Sequence, residues 1–263
     1  MASLYWSYGL GVVLLCVSLL WLVSYRLQDV SIVDIWWAPG FFVFFATLIY
    51  FEGELYPRST LAAALLGLWG LRLGGYLAAR NLGHGEDSRY QAMRARDPSF
   101  AWTSFVKVFW LQGGLQALIS LPLYWVVTSQ GALGPWDLVG AVVTVTGIAI
   151  EAIADRQMTA FKARADSAGR VMDQGLWGWS RHPNYFGNAC IWLGVGLLGT
   201  GAQAPLWAWL GPGLMLFLLL RVSGVSMLES TITDRRPAYV EYQKRVSAFI
   251  PWPPGPVVEP PKD

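Results

Sequence analysis

Charge is scarce in this chain. Only 14% of the residues are Asp, Glu, Lys or Arg, against about 25% in an average soluble domain. Histidine and cysteine are scarcer still, at two each. With His84, His182, Cys16 and Cys190 alone, and no Cys-x-x-Cys, a metal site has too few ligands in any recognisable spacing. Both cysteines lie in apolar stretches and read as small core residues rather than a disulfide. No Gly-x-Gly-x-x-Gly opens a helix after a strand, and no Walker-type loop occurs, so a nucleotide would have to bind by a non-Rossmann mode. There is no internal repeat. The net charge of +2 says little by itself, and no nucleic acid is expected as a partner.

What the chain does have is apolar length: 54% of it is hydrophobic, with 15 Trp. Seven stretches, roughly 4–25, 33–51, 60–79, 105–128, 132–153, 185–202 and 205–222, each approach the ~20 residues a helix needs to cross the hydrocarbon core. The first lacks the basic n-region and small-residue cleavage site of a signal peptide. Seventeen of the nineteen Lys and Arg residues fall in connections that seven spans place on one face. Arg58 stands on the other face and Arg72 inside a span. The positive-inside rule then puts the N-terminus outside and the C-terminus in the cytoplasm. The expected fold class is therefore all-α, an integral membrane bundle of seven transmembrane helices forming one domain over residues 1–254. A Pro-rich end caps it, and a disordered tail is expected over 255–263.

Several polar residues sit where lipid would reject them. The segment Gly175-Leu176-Trp177-Gly178-Trp179-Ser180-Arg181-His182-Pro183-Asn184-Tyr185-Phe186-Gly187 concentrates a guanidinium, an imidazole, a carboxamide and a phenol beside an apolar run. An orientation anchor needs Arg or Lys but not His-Pro-Asn-Tyr, so the segment reads as a site. Arg72, Tyr76 and Arg80 share one helical face by their spacing of four. A charge as deep as Arg72 calls for pairing or a ligand, whereas Arg80 can snorkel to the interface. Glu151 and Asp155 are again four apart, with Lys162 seven further on. Carboxylates at a helix C-terminus oppose the macrodipole and need compensation, from a cation or from hydrogen-bond donors of a ligand. Asp34 at the start of the second span is either an N-cap or an acid kept protonated in an apolar pocket, able to donate to a carbonyl. Tyr239, Tyr242 and Val246 form a helical face that suits either an interfacial helix or a site wall.

The Gly175–Gly187 segment, with the residues from about Val33 to Trp252, resembles the steroid 5-alpha-reductase family, in particular its bacterial branch of seven-helix membrane proteins. Arg-His-Pro-x-Tyr alone also occurs in membrane methyltransferases that use S-adenosylmethionine. Asn184 in the variable slot is the version typical of the sterol and steroid reductases. The resemblance implies NADPH as cofactor, held from the cytoplasmic side of a bacterial inner membrane. It matches Arg72 and Tyr76 to an Arg-x-x-x-Tyr pair of the third helix, Asp155 to an Asp ending the fifth, and Arg170 to an Arg of the following loop. Asn184 matches an Asn at the nicotinamide end, and Arg181 and His182 belong to the same platform. Tyr239, Tyr242 and Arg245 fall in the C-terminal region that closes over the adenosine and phosphates. The chain also departs from the family. Lys162 replaces an Arg, Asn188 a Glu and Trp69 a Tyr, and Val33-Asp34 stands where the animal enzymes have Gln-Glu.

The expected activity is hydride transfer from NADPH to the β-carbon of a conjugated C=C in a steroid or similar flat lipid. An acid group would polarise the carbonyl as enolate charge develops. Asp34 is the expected donor, with Tyr185 or the indole N–H of Trp69 nearby. The substrate enters from the bilayer, membrane lipids are the other partners, and the chain is expected to act as a monomer. The alternative is an S-adenosylmethionine-dependent membrane methyltransferase of the isoprenylcysteine or phospholipid type.

Overall fold

The computed structural model of the protein describes residues 2–222, 225, 229 and 237–256. Among these the regular elements are all helical, as the apolar spans require. The helices are α1 (Ala2–Leu27), α2 (Ile32–Glu52), α3 (Pro57–Asn81), α4 (Ser88–Arg96), α5 (Phe100–Ser104), α6 (Leu111–Ile119), α7 (Leu121–Thr128), α8 (Pro135–Lys162), α9 (Pro183–Gly201), α10 (Leu210–Phe217) and α11 (Tyr239–Arg245). Two π-helical segments, Phe105–Trp110 and Leu218–Val222, continue α5 into α6 and extend α10. Among the described residues four helices, in α1, α2, α3 and α8, are long and apolar enough to cross a membrane. Their length and composition mark the chain as a membrane protein.

The other expected spans take different forms. The stretch 105–128 is interrupted at Ser120, where Leu121-Pro122 restarts the chain as α7. Pro122 has no N–H to continue the ladder. The last stretch is assembled from a 3-10 turn at Leu206–Trp209, α10 and the second π segment. Of the tail expected to be disordered, residues 257–263 lie outside the described residues. Gly255 N–H donates to Arg245 O at 2.9 Å.

The chain divides into two compact units. The first comprises Met1–Ala141 with Val195–Pro212, the second Val142–Gly194 with Gly213–Asp263. In the first, α2 carries Pro39 in its interior, and α3 meets it with two glycines one turn apart. A Cβ on Gly74 would lie 2.8 Å from the Pro39 ring, and one on Gly70 3.3 Å from Pro39 Cα. The small residues let the helices approach closely around the proline. Phe41, Phe44, Phe45, Leu48, Leu66 and Trp69 fill the core of this unit, all essentially without exposure. Arg58 and Asp137 form a buried pair: Nε donates to Oδ1 at 2.7 Å and Nη2 to Oδ2 at 2.8 Å. Ser129 and the Ala132 carbonyl take further guanidinium protons. A buried charge pair survives only when so fully bonded.

In the second unit, the contact between α8 and α9 is set by Gly147 and Gly187. A Cβ on Gly147 would lie 2.5 Å from Gly187 O, and one on Gly187 2.6 Å from Gly147 O and 2.7 Å from Glu151 N. No other residue fits either position without moving a backbone. A small cluster of Ala154, Met172 and Trp177, joined by Met158, Phe161 and Leu176, packs the loop after α8 onto that helix.

Candidate functional site

The glycine contact fixes which side chains of α8 and α9 meet. Glu151 is one turn beyond Gly147, and Asp155 one turn beyond that, so both carboxylates share the glycine's face. On α9, Asn188 follows Gly187 and Asn184 lies one turn earlier. The two helices therefore bring carboxamides to carboxylates. Asn188 Nδ2 donates to Glu151 Oε1 at 3.2 Å, and Asn184 Nδ2 to Asp155 Oδ1 at 3.4 Å. Glu151, Asp155 and Asn188 are only 4%, 5% and 5% exposed. The Asn188 Oδ1 is buried and has no hydrogen-bond partner. An orphaned buried acceptor costs roughly 1–3 kcal/mol, and a donor group on a ligand would remove that cost.

The Arg181-His182 pair expected at the cofactor is placed in a clamp. Arg181 Nε and Nη2 donate to the two oxygens of Glu229 at 2.7 and 3.0 Å, and Nη1 donates to the Gln243 and Val246 carbonyls at 3.0 and 2.7 Å. His182 Nε2 lies 3.1 Å from Glu229 Oε1, and its ring stacks on Tyr185 at 5.6 Å with 4° between planes. Burial alone would push the Glu229 carboxyl up, but the bonds from His182 and Arg181 outweigh it and hold it at about 2.

The same clamp gathers the C-terminal segment. Arg181 N–H donates to Ser247 O at 2.8 Å, Ser180 Oγ to Phe249 O at 2.8 Å, and Trp252 N–H to Trp179 O at 2.9 Å. Tyr242 is buried, with its hydroxyl donating to Trp177 O at 2.5 Å. Tyr239 packs beside it at 5.2 Å between ring centroids. Burial and the nearby Glu229 charge push the Tyr239 phenol up to about 12. Arg245 reaches Asp173 at 3.3 Å. Arg181, Tyr239, Tyr242 and Arg245 thus organise the segment beside the start of α9, where Asn184 lies.

In the first unit, Arg72, Tyr76 and Arg80 do form the ladder that their spacing implies. The guanidinium carbons of Arg72 and Arg80 each stand 5.6 Å from the Tyr76 ring centroid. Two arginines on one face suit a phosphate. Trp69 is fully buried, 5.7 Å from Phe41 between ring centroids.

Asp34 has surroundings that its sequence neighbours do not announce. The N-cap of α2 is Ser31, not Asp34. Asp34 instead accepts from Arg89 Nη2 at 2.6 Å and from the Tyr90 hydroxyl at 2.8 Å. Both come from α4, more than fifty residues later. Glu86 and Asp87 complete the connection: Val30 N–H donates to Glu86 at 3.0 Å, Asp87 N–H to Ser31 Oγ at 2.6 Å, and Arg94 grips Glu86 with two bonds. The lone acid of an apolar pocket is thus a member of an ion-paired cluster.

Lys162 and Arg170 lie at and beyond the end of α8, with Arg170 donating to Asp166 at 2.5 Å. Among the described residues no group of three or more His, Cys, Asp or Glu is arranged to hold a metal ion. Glu151 is the site residue that sequence reasoning notices but leaves without a role at the cofactor. Its signal is the four-residue step from Gly147 and to Asp155, while its partner Asn188 lies on another helix.

Helices of membrane-spanning length carrying a buried polar ladder and an Arg-Tyr-Arg face define an all-helical membrane protein with polar groups set in its interior. The model of the family described as "Protein of unknown function (DUF1295)" matches residues 20–246, and the chain belongs to that family. It is also similar to an uncharacterized protein of Schizosaccharomyces pombe, 28% identical over 274 aligned positions that cover 89% of this chain and 76% of the relative. No solved structure matches the chain.

Proposed function

We propose that the protein is an NADPH-dependent membrane reductase that saturates a conjugated C=C in a steroid or similar flat lipid, of the steroid 5-alpha-reductase type. The observation that carries this reading is the buried ladder Glu151–Asn188 and Asp155–Asn184, with Asn188 Oδ1 lacking a partner. Buried carboxylates and carboxamides fit the hydroxyl and amide groups of a nicotinamide nucleotide.

Asp155, Asn184 and Asn188 would hold the nicotinamide end, with Glu151 beside them. The family resemblance adds Arg72, Tyr76, Lys162 and Arg170 to the cofactor contacts. When bound, the cofactor supplies a hydride. The clamp of Arg181, His182 and Glu229 fixes the start of α9, and so the position of Asn184 and Tyr185. Asp34, whose two oxygens accept from Arg89 and Tyr90, is proposed to hold these two donors toward the lipid carbonyl, which they would polarise. The aromatic residues of α1 to α3 would wall a dry apolar cavity for the lipid, which would strengthen the field at the reacting centre.

The test is turnover by purified protein of NADPH with a 3-oxo-Δ4 lipid, followed as loss of reduced-nicotinamide absorbance. Asp34→Asn is expected to retain NADPH binding and lose turnover by about two or more orders of magnitude, the usual size of a lost oxyanion contact. Turnover equal to that of the wild type would remove Asp34 from the mechanism.

A further inference from the structure

Beyond the ladder, α8 carries a second feature on a different face. The helix has 28 residues, about 42 Å at 1.5 Å per residue, and so overshoots a hydrocarbon core of about 30 Å. Its exposed apolar stripe, Val142, Val145 and Ile153, is half exposed at each position and faces lipid. The stripe ends at Arg156, the first exposed cation on that side. Immediately beyond, the helix and the loop that folds back onto it enclose a cleft of about 320 Å³. Ala160, Phe161 and Arg164 line it from α8 and its end, and Met172, Gln174 and Gly175 from the loop.

The loop closes the cleft through a local bond. Gly175 has a φ of +59°, and a Cβ there would lie 2.4 Å from the Gln157 amide nitrogen. Gln157 Oε1 accepts from Leu176 N–H at 3.0 Å. Ala160, Phe161 and Met172 give it apolar walls, and Arg164 is the cation that lines it. Arg164 donates both bonds of its fork to Asp166 at 3.0 Å, and Arg170 donates to the same carboxylate at 2.5 Å. With Arg156 on the same end of the helix and Arg245 paired to Asp173 of the loop, four guanidinium groups stand against the two carboxylates Asp166 and Asp173. Arg164 and Asp166 are each 52% exposed, and an ion pair so exposed is readily exchanged. The volume is at the low end for a small-molecule site, enough for one headgroup.

We propose that this cleft binds the phosphate headgroup of an anionic phospholipid, with an acyl chain lying along the Val142–Val145–Ile153 stripe. Three properties point to that occupant: the cleft sits at headgroup depth, it continues a lipid-facing stripe, and its charge complements an anion. The lining residues are separate from the Glu151–Asp155 face; Arg170, a neighbour of the cleft and a proposed cofactor contact, is not part of that lining, and the test rests on Arg164 and Ala160.

The experiment uses the full chain in detergent, titrated with phosphatidylglycerol, phosphatidylcholine or soluble glycerol phosphate, with binding read from the thermal unfolding midpoint. The wild type is expected to be stabilised by phosphatidylglycerol alone. Arg164→Ala should weaken that lipid about fivefold, the loss of one cation near the membrane surface. Ala160→Trp, which fills the cleft without altering charge, should abolish the shift. Arg96→Ala, an exposed cation elsewhere, should leave it unchanged. Equal stabilisation by phosphatidylcholine, or by glycerol phosphate, would overturn the assignment of a lipid. An Arg96→Ala loss as large as that of Arg164→Ala would reduce the effect to general charge and overturn the site.

Discussion

Replacing Gly187 by Ala adds one methyl group at a place where two helix backbones touch. Its Cβ would stand 2.6 Å from Gly147 O and 2.7 Å from Glu151 N, about 1 Å inside ordinary contact. Neither neighbour is a flexible side chain that could turn away, so α8 and α9 must separate. Overpacking of this kind costs about 1–3 kcal/mol. The separation also acts on the ladder. The Asn184–Asp155 bond is already 3.4 Å long and the Asn188–Glu151 bond 3.2 Å, so a displacement of about 1 Å breaks both, at about 1 kcal/mol each. Gly187→Ala should therefore lose about 2–4 kcal/mol and most of its NADPH affinity. Gly114→Ala is the control. No atom lies within 4 Å of the added Cβ, and Ala in a helix is favoured over Gly by up to about 1 kcal/mol. The assay is thermal or denaturant unfolding of the detergent-solubilised proteins, with ligand titration on each. Gly187→Ala as stable as Gly114→Ala, with NADPH binding intact, would refute the role given to this contact.

Three other perturbations have expected outcomes. Glu229 is held at about 2 against an ordinary value of 4.5, so its stabilisation is present above pH 4.5 and is lost as the pH falls toward 2. Glu229→Gln should flatten the acid limb of a stability-versus-pH curve, by about 1–2 kcal/mol once solvent screening is allowed for. Tyr242→Phe removes the bond to Trp177 O at 2.5 Å in a buried setting and should cost about 1–3 kcal/mol in unfolding measurements, with helix content unchanged. Arg58→Ala leaves Asp137 charged and buried. A loss of about 3–5 kcal/mol is expected, whereas replacing both partners with apolar residues should recover much of it.

The helices long and apolar enough to cross a membrane, α1, α2, α3 and α8, were legible because each is a long apolar run, and length and composition are read directly from the sequence. The interruption at Ser120 was not, because Leu121-Pro122 lies within an equally apolar stretch and hydropathy does not register a missing N–H. Arg72, Tyr76 and Arg80 were legible as a ladder, since a spacing of four is a local property of one helix. Asp34 shows the limit. Its partners Arg89 and Tyr90 lie on α4, and nothing in Val33-Asp34-Ile35 encodes them. Arg181 and His182 were recognisable as an unusual polar pair, but their common partner Glu229 is 47 residues or more away. Periodicity reports which residues share a face, and it is silent on which faces meet.

The central claim is that the interior binds a reduced nicotinamide nucleotide, and a thermal shift on the purified chain tests it most directly. NADPH at about a hundred times its Kd should add about 2.7 kcal/mol of stability, with S-adenosylmethionine adding none, and Asn188→Leu should diminish the NADPH effect. Stabilisation by S-adenosylmethionine alone would contradict the account.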